Sequence, residues 1–253
     1  MTVYAKVVGT GGYLPAEIKT NDDISRIVDT SDSWIFERTG IKSRRIAAKD
    51  ETASSMAEIA ARQAIKMAGI NPADIDLIVV ATGTPDNIYP STACMLQHRL
   101  GNKKGVAFDI QAACSGAIFG LDIANKYIKS GAAKTVLVVG SEICSRIVDW
   151  TDRGTCILFG DGAGAVLLQA SDETGVLSTH IHSDGRFDDL LNCPNPQALG
   201  ELDTTGYISM KGNEVFKVAV NTLGRIVDET LAENDMQKSE IDWLVPHQAN
   251  IRI

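Results

Sequence analysis

Cys114 is the residue whose surroundings in the sequence best suit covalent chemistry. It lies in the stretch GVAFDIQAACSGAIFG (105–120), where apolar residues first alternate as in a strand and then, from Ala117, recur at helical spacing. This pattern predicts a cysteine at a helix N-terminus, where unpaired N–H groups and the helix dipole lower a thiol pKa that is about 8.5 in the free residue. A thiolate at a strand-to-helix junction is suited to covalent acyl transfer. The alternative is a structural cysteine, because most cysteines are buried and inert.

His247 is the second candidate, in the polar sequence VPHQAN. Residues 75–81 and 241–247 share Ile, Asp and Val in register, 166 positions apart (241 minus 75), and an amphipathic helix precedes each copy. The repeat predicts two related halves, with His247 at the carboxyl end of a buried strand, Ile241 to Val245, where open α/β sheets place their sites. A neutral imidazole there can hydrogen-bond a thioester carbonyl or act as general acid or base toward Cys114. The alternative is a histidine in an ordinary loop.

Trp34 and Arg38 are four residues apart in a short predicted helix, SDSWIFERTG, and therefore share a face. An aromatic ring beside a cation can stack on and neutralise a nucleotide, although Trp34 is equally suited to anchor the core. The glycines of GDGAG (160–164) are followed neither by Lys-Ser or Lys-Thr nor by a helix, which favours a tight turn between strands over a phosphate loop. His180 and His182 alternate along a predicted strand with no third ligand nearby, so we predict no metal site.

The elements that must position these residues follow an α/β pattern. Buried strands are predicted at 75–81, which is too apolar to have a wet face, and at 135–139, as in parallel sheets covered on both sides, and an alternating strand is predicted at 106–110. Further strands are predicted at 3–8, closed by a turn at Gly11-Gly12, and at 156–159 and 165–169. Helices are predicted at 21–28, 31–40, 56–69, 91–100, 117–131 and 212–231, and a loop at 185–206. The two halves are predicted as residues 1–170 and 171–253.

Composition sets the broad class. The 253 residues are 44% hydrophobic and 22% charged, which is average for a soluble globular protein. No apolar run approaches the ~18 residues of a membrane span, and the N-terminus has no signal-peptide pattern. The formal charge of −8 opposes binding to nucleic acid or anionic membranes. Five cysteines, odd in number and without a C-x-x-C pair, predict reduced thiols and a cytoplasmic location.

Taken together, the motifs resemble those of β-ketoacyl-acyl-carrier-protein synthase III, a family of the thiolase-like superfamily. They occur in the family's order along the whole chain: SWIFERTGI at Trp34, DIQAACSGAIFGL at Cys114, DRGT at Arg153, FGDGAGA, GNEVFKVAV and VPHQANIR. The resemblance implies a thiolase-like α/β fold of two related βαβ-type halves in α-β-α-β-α layers, with the second half incomplete.

The resemblance also implies the reaction, the initiating condensation of type II fatty-acid synthesis. An acyl-CoA primer, acetyl-CoA or a short branched acyl-CoA, acylates Cys114. Malonyl-acyl carrier protein then loses carbon dioxide and attacks the acyl-enzyme, while His247 stabilises the developing enolate. No cofactor is implied, because acyl-CoA is a substrate.

Binding roles follow from the same resemblance. Trp34 and Arg38 flank the CoA adenine, Arg153 reaches the nucleotide end, and Asn250 lies along the pantetheine tunnel. Tyr89 matches a position from which one subunit of a homodimer shapes the acyl pocket of its partner. The acidic carrier protein is expected to meet Gln248, Ala249, Asn250, Ile251, Arg252 and Lys217.

One departure from the family is that its catalytic asparagine, in a G-N-x-S motif, and an oxyanion-hole glycine are expected beyond position 253. Two other interpretations of the residues stay open. The first is a Cys-His enzyme that transfers acyl groups without decarboxylation, or a relative of the hydroxymethylglutaryl-CoA or chalcone synthase type. The second is a non-catalytic module that binds acyl-CoA or a carrier protein.

Overall fold

The computed structural model describes residues 3–196, 198, 200 and 206–252, and the chain forms two compact units, each assembled from separate stretches. The first comprises Met1–Ala16, Ala47–Ile143 and Asp161–Ile181, and the second comprises Glu17–Ile46, Cys144–Gly160 and His182–Ile253. These units do not follow the predicted boundary after residue 170. The division into two related halves therefore stays a prediction.

The described residues contain strands and helices in alternation, which confirms the α/β class. The strands are β1 (Tyr4–Tyr13), β2 (Glu17–Thr20), β3 (Ser43–Ile46), β4 (Leu77–Ala81), β5 (Val106–Ile110), β6 (Thr135–Ile143), β7 (Asp161–Ser171), β8 (Leu191–Asn192) and β9 (Ser209–Met210). The α-helices are α1 (Asn21–Ser25), α2 (Asp32–Thr39), α3 (Ala53–Ala68), α4 (Thr92–Leu100), α5 (Gly116–Lys129), α6 (Arg153–Cys156) and α7 (Gly212–Glu233). Short 3-10 turns lie at Pro72–Asp74, Ala113–Ser115, Cys144–Arg146, Gly185–Phe187 and Lys238–Glu240. No described helix is long and apolar enough to cross a bilayer.

The first unit is built on a mixed five-stranded sheet in the order β1-β7-β6-β4-β5. Strand β4 runs parallel to β5 and β6, whereas β7 is antiparallel to β6 and β1. Alternate residues of β4 enter opposite layers. Ile78 and Val80 pack with α3 and α4, while Leu77 and Val79 pack with α5. All five residues of β4 are buried, as the apolar sequence predicts for a strand covered on both faces.

Local signals in the sequence account for the helix boundaries. Ser31 caps α2 and Ser91 caps α4, each by accepting a hydrogen bond from a backbone N–H in the first turn. Gly40, Gly69 and Gly101 end α2, α3 and α4 in the left-handed conformation, with φ between 68° and 76°. These helices therefore begin and end close to the predicted positions.

Two predicted turns are wrong, because both lie inside strands. Strand β1 continues through Gly11-Gly12 to Tyr13, and the DGAG of GDGAG (161–164) forms the start of β7. In β1, a side chain at Gly11 would come within 2.1 Å of the Ala60 carbonyl oxygen, so glycine there permits close packing against α3. In β7, Gly164 pairs with Gly12 on one side and Gly140 on the other. Ladder hydrogen bonds on both edges thus outweigh the local preference of glycine for a turn.

Three other predicted strands are absent among the described residues. Residues 156–159 are not a strand because α6 extends to Cys156. Residues 178–184, including His180 and His182, have no regular secondary structure, and the His182 Nε2 atom lies 2.9 Å from a carboxylate oxygen of Glu229. Residues 241–245 are likewise irregular. Part of the predicted loop 185–206 lies outside the described residues.

The second unit has smaller elements. The antiparallel pair β2/β3 is joined by α1 and α2, and a buried cluster is formed by Ile24, Ile35, Val148, Cys156, Ile157 and Ile208. Helix α7 follows the short pair β8/β9.

Candidate functional site

Cys114 lies on a 3-10 turn, Ala113–Ser115, between β5 and α5. We call residues 111–115 the nucleophile turn. Ala113 has a φ of 44°, in the left-handed region that non-glycine residues adopt at a cost of about 1–3 kcal/mol. Cys114 itself is exposed. The predicted strand-to-helix junction is present, and the nucleophilic role of Cys114 stays a prediction.

Two glycines bring α5 close to the sheet directly behind this turn. A Cβ atom at Gly116 would lie 2.8 Å from the Cβ of Ala81, the last residue of β4, and one at Gly120 would lie 2.5 Å from a methyl group of Val138. Only glycine allows this spacing at the two positions. The start of α5 is therefore packed against the carboxyl end of a central strand, which is where α/β sheets place their sites.

The expectation of a lowered thiol pKa is wrong. Cys114 belongs to the 3-10 turn that precedes α5. The pKa of Cys114 is raised, mainly because protein atoms around the sulfur partly desolvate the thiolate, even though the residue is accessible to solvent. A backbone hydrogen bond lowers the pKa by a smaller amount, and the charge of Glu142 adds a still smaller rise. Nucleophilic use of this thiol consequently requires a base.

Glu142 is the polar neighbour of Cys114 that sequence reasoning missed. It lies on β6, half-buried, and its Oε1 accepts a hydrogen bond from Gly83 N–H at 2.7 Å while its Oε2 accepts one from the Thr84 hydroxyl at 2.6 Å. Desolvation raises the pKa of this carboxyl group, and the hydrogen bonds partly offset the rise. A carboxylate in the apolar strand TVLVVGSEI was the available signal.

In the second unit, Trp34, Arg38 and Arg153 form one cluster. The guanidinium carbons of Arg38 and Arg153 lie 4.3 and 4.6 Å from the centre of the indole ring, which is the range of cation–π contacts. Arg153 also donates a hydrogen bond to the carbonyl of Asp29 at 2.8 Å. The half-buried ring and two exposed cations can hold a planar, anionic ligand.

The buried guanidinium of Arg44 links the elements that carry this cluster through hydrogen bonds. Arg44 donates hydrogen bonds to Asn21 Oδ1 (2.8 Å) and to the carbonyl of Ile157 (2.6 Å), which follows α6. The amide of Asn21 donates in turn to Asp32 Oδ1, at the first residue of α2, at 2.8 Å. The network thereby connects the helices that carry Trp34 and Arg153.

The prediction that His247 ends a strand is wrong. His247 is exposed and lies in an irregular segment in which Trp243 and Val245 are 85% and 81% exposed. A strand needs a neighbour for its backbone hydrogen bonds, and no described strand pairs with residues 241–247. The catalytic role of His247 stays a prediction.

The carrier-contact residues lie on the same unit as the Trp34 cluster. Ile251 N–H donates to the carbonyl of Thr39 at 3.1 Å, which holds the segment 248–252 against the end of α2. Asn250 Oδ1 accepts a hydrogen bond from Arg252 N–H at 2.9 Å, and the Arg252 guanidinium lies 5.4 Å from the ring centre of Phe216. Lys217 is exposed next to Phe216, so that both predicted cations are accessible.

Tyr89 belongs to the first unit. It follows β4 in a loop, residues 82–90, that we call the β4 loop, and it is 82% exposed beside Ile88, which is 77% exposed. Asp86 of this loop accepts a hydrogen bond from Ser54 N–H at 2.9 Å, at the start of α3. The two apolar side chains therefore project from a loop that is anchored to the unit.

Comparison with known proteins gives concordant matches. A family model described as 3-Oxoacyl-[acyl-carrier-protein (ACP)] synthase III matches residues 108–185. The β-ketoacyl-[acyl-carrier-protein] synthase III of Methylococcus capsulatus is 64% identical over 254 aligned residues, which are 100% of this chain and 79% of the relative. The corresponding protein of Thioalkalivibrio sulfidiphilus is 61% identical and is covered to the same 79%, with 99% of this chain aligned.

A solved structure agrees with these relatives. The crystal structure of 3-oxoacyl-[acyl-carrier-protein] synthase III from Aquifex aeolicus superimposes with a TM-score of 0.92 at 49% identity, and the match covers 98% of this chain and 78% of that one. The match confirms the thiolase-like fold class that the motifs predicted.

Proposed function

Because the chain belongs to the β-ketoacyl-acyl-carrier-protein synthase III family, we propose that Cys114 is the residue that the acyl-CoA primer acylates. As a member of this family, the protein is an acyltransferase that carries out the initiating condensation of fatty-acid synthesis. The observation that carries the assignment of Cys114 is its exposed position on a turn with a left-handed residue, between the end of β5 and α5.

The first half-reaction forms a thioester on Cys114. Because the thiol pKa is raised, a base must remove the proton, and we assign this role to the imidazole of His247. The thiolate attacks the carbonyl of the primer, which is acetyl-CoA or a short branched acyl-CoA. The bond to the CoA sulfur breaks, and CoA leaves with the proton that His247 returns.

The second half-reaction forms the carbon–carbon bond. Malonyl-acyl carrier protein loses carbon dioxide, and the electron pair of the broken bond becomes an enolate that His247 stabilises by a hydrogen bond. The enolate carbon attacks the acyl group on Cys114, and the Cys114 sulfur leaves. The product is a 3-oxoacyl-acyl carrier protein.

The substrates bind through two groups of residues in this proposal. Trp34 and Arg38 hold the CoA adenine, Arg153 neutralises the nucleotide phosphates, and Asn250 lies along the pantetheine. The cation–π distances at Trp34 support the first group. Exposed cations on an otherwise acidic protein support the second, an acidic carrier-protein contact formed by Gln248, Ala249, Asn250, Ile251, Arg252 and Lys217.

We also propose that the protein is a homodimer in the cytoplasm. Strand β5 is an edge of the sheet with Val106 58% exposed, and Ile88 and Tyr89 are exposed close by in sequence. In a dimer that buries these residues, Tyr89 of one subunit lies at the acyl pocket of the other subunit. No disulfide joins the described cysteines, which fits a reducing compartment.

Acylation is tested by incubating the protein with acetyl-CoA and mapping the modified peptides by mass spectrometry. We expect the acetyl group on Cys114, none in a Cys114→Ser variant, and an unchanged yield in Cys94→Ser, which removes another exposed thiol. Acetylation of a different cysteine would refute the assignment. Release of carbon dioxide from malonyl-acyl carrier protein then distinguishes condensation from acyl transfer without decarboxylation.

A further inference from the structure

We propose that Glu142 is a positioning residue for the reaction at Cys114, because its carboxylate holds Gly83 and Thr84 of the β4 loop beside the nucleophile turn. This inference rests on the proposed role of Cys114. Its basis is a set of hydrogen bonds within the first unit whose donors and acceptors can be assigned.

The hydrogen bonds require a side chain with two acceptor oxygens. Thr84 Oγ1 accepts a hydrogen bond from Ile143 N–H at 2.8 Å, so its own proton is directed at Glu142 Oε2, 2.6 Å away. Glu142 Oε1 meets a second donor, Gly83 N–H, at 2.7 Å. A glutamine keeps the bond from Gly83 N–H only with its NH₂ group turned toward Thr84, and the Thr84 hydroxyl must then turn its proton away and accept instead of donating. A carboxylate accepts both bonds without this change. The site is therefore built for a carboxylate.

The part of the β4 loop that Glu142 holds is adjacent to the nucleophile turn. Thr82 N–H donates to the carbonyl of Ile110 at 3.2 Å, and Gln111 Nε2 is 3.9 Å from the position that a Cβ of Gly83 would occupy. Ala81, which precedes the loop, touches the start of α5 at Gly116. Movement of the loop consequently changes the space next to Cys114.

The charge of the same carboxylate acts on the thiol. The titratable group that faces Glu142 from the nucleophile turn is Cys114. The hydrogen-bond partners of Glu142 on the β4 loop, Gly83 and Thr84, carry no charge. Ionised Glu142 disfavours the thiolate and so adds to the rise in the Cys114 pKa that desolvation mainly causes. Glu142 thus couples loop position to thiol protonation through one side chain.

Three variants separate geometry from charge. Glu142→Gln removes the charge and one of the two acceptor oxygens. Thr84→Val removes the hydroxyl, and with it the bond to Glu142 and the bond from Ile143 N–H, but keeps the charge and the bond from Gly83 N–H. Glu142→Asp keeps both acceptor oxygens and the charge. The measurements are the turnover number for condensation and the pH dependence of Cys114 alkylation by iodoacetamide, followed by peptide mapping.

In Glu142→Gln and Thr84→Val we expect turnover to fall about 10- to 100-fold, because a displaced loop misaligns the reacting atoms. Below the pH at which the thiol titrates, Cys114 should be alkylated faster in Glu142→Gln than in the parent, since a neighbouring negative charge is lost. Thr84→Val and Glu142→Asp should show no such acceleration, and Glu142→Asp should recover part of the turnover.

Two results overturn the proposal: unchanged turnover in Glu142→Gln, or turnover that falls only in proportion to a lower melting temperature while the alkylation profile matches that of the parent. The alkylation profile does not require Cys114 to be the acylated residue. Failure of acetylation at Cys114 is therefore distinguishable from failure of this inference.

Discussion

At the scale of single residues, the indole of Trp34 is the clearest binding feature, because two guanidinium groups lie within 4.6 Å of its ring centre. Replacing Trp34 by alanine removes the stacking surface and leaves Arg38 and Arg153 without their shared ring. We expect KM for acetyl-CoA to rise about 2- to 30-fold, which corresponds to a total loss of ~0.5–2 kcal/mol of binding free energy, with a smaller change in kcat.

Phe36 provides a matched control on the same helix. The Nζ atom of Lys42 lies 4.1 Å from the centre of the Phe36 ring. Phe36→Ala therefore also removes an aromatic ring and a cation–π contact from α2. We expect its KM for acetyl-CoA to stay within about twofold of the parent value. Equal increases in both variants would show that α2 is merely destabilised.

Arg252 is the cation proposed to meet the carrier protein. Changing Arg252 to glutamate should weaken the reaction with malonyl-acyl carrier protein and spare acylation by acetyl-CoA, because rim charges act mainly on the association rate of a charged partner. The defect should shrink as salt is added, since exposed charges are screened. Separate assays of the two half-reactions at several ionic strengths measure this.

The control is Lys238→Glu, which makes the same change of charge at an exposed lysine that is ion-paired with Asp228. An equal loss in both variants would indicate an effect of net charge alone. A loss of acetyl-CoA acylation in Arg252→Glu would instead assign Arg252 to the CoA site or to the fold.

At the scale of elements, the packing of α5 on the sheet depends on two glycines. Gly120→Ala places a methyl group 2.5 Å from Val138, and overpacking of this kind costs about 1–3 kcal/mol. We expect the melting temperature to fall about 2–4 °C for each kcal/mol lost. Thermal unfolding followed by circular dichroism measures this, together with the rate of Cys114 acylation.

Gly224 in α7 is the matched helical glycine, because a Cβ there meets nothing within 4 Å. Gly224→Ala should leave stability unchanged or raise it by up to about 1 kcal/mol, as expected from helix propensity. If the two alanine variants were equally stable, the close approach of α5 to β6 would not constrain the nucleophile turn.

At the scale of the whole molecule, the exposed apolar tip of the β4 loop is the basis for the proposed dimer. Ile88→Asp places a charge in that interface and should shift the protein toward monomer at micromolar concentration. Leu14→Asp, at a site that is 64% exposed elsewhere on the same unit, should have no such effect. Sedimentation velocity measures both, and a monomeric parent protein would contradict the proposal.

The sequence by itself determined the family, the reaction and the α/β class. The family and the reaction depend on the order of the motifs along the chain. The α/β class depends on apolar runs such as that of β4 and on caps such as Ser31 and Gly40, which act within a few residues of the chain. Helix boundaries were predicted well for the same reason. The family assignment and the initiating condensation are confirmed by the relatives, whereas the individual site residues stay predictions.

Only the tertiary structure decided features that depend on distant parts of the chain. Gly162 and Gly164 of GDGAG belong to a strand because β1 and β6 supply hydrogen bonds on both of its edges. Residues 241–245 carry the pattern of a buried strand, yet they are exposed where no described strand pairs with them. Likewise, the pKa of Cys114 is raised mainly because surrounding protein atoms partly desolvate the thiolate, with a smaller contribution from the charge of Glu142 on another strand, and neither effect is visible in local sequence.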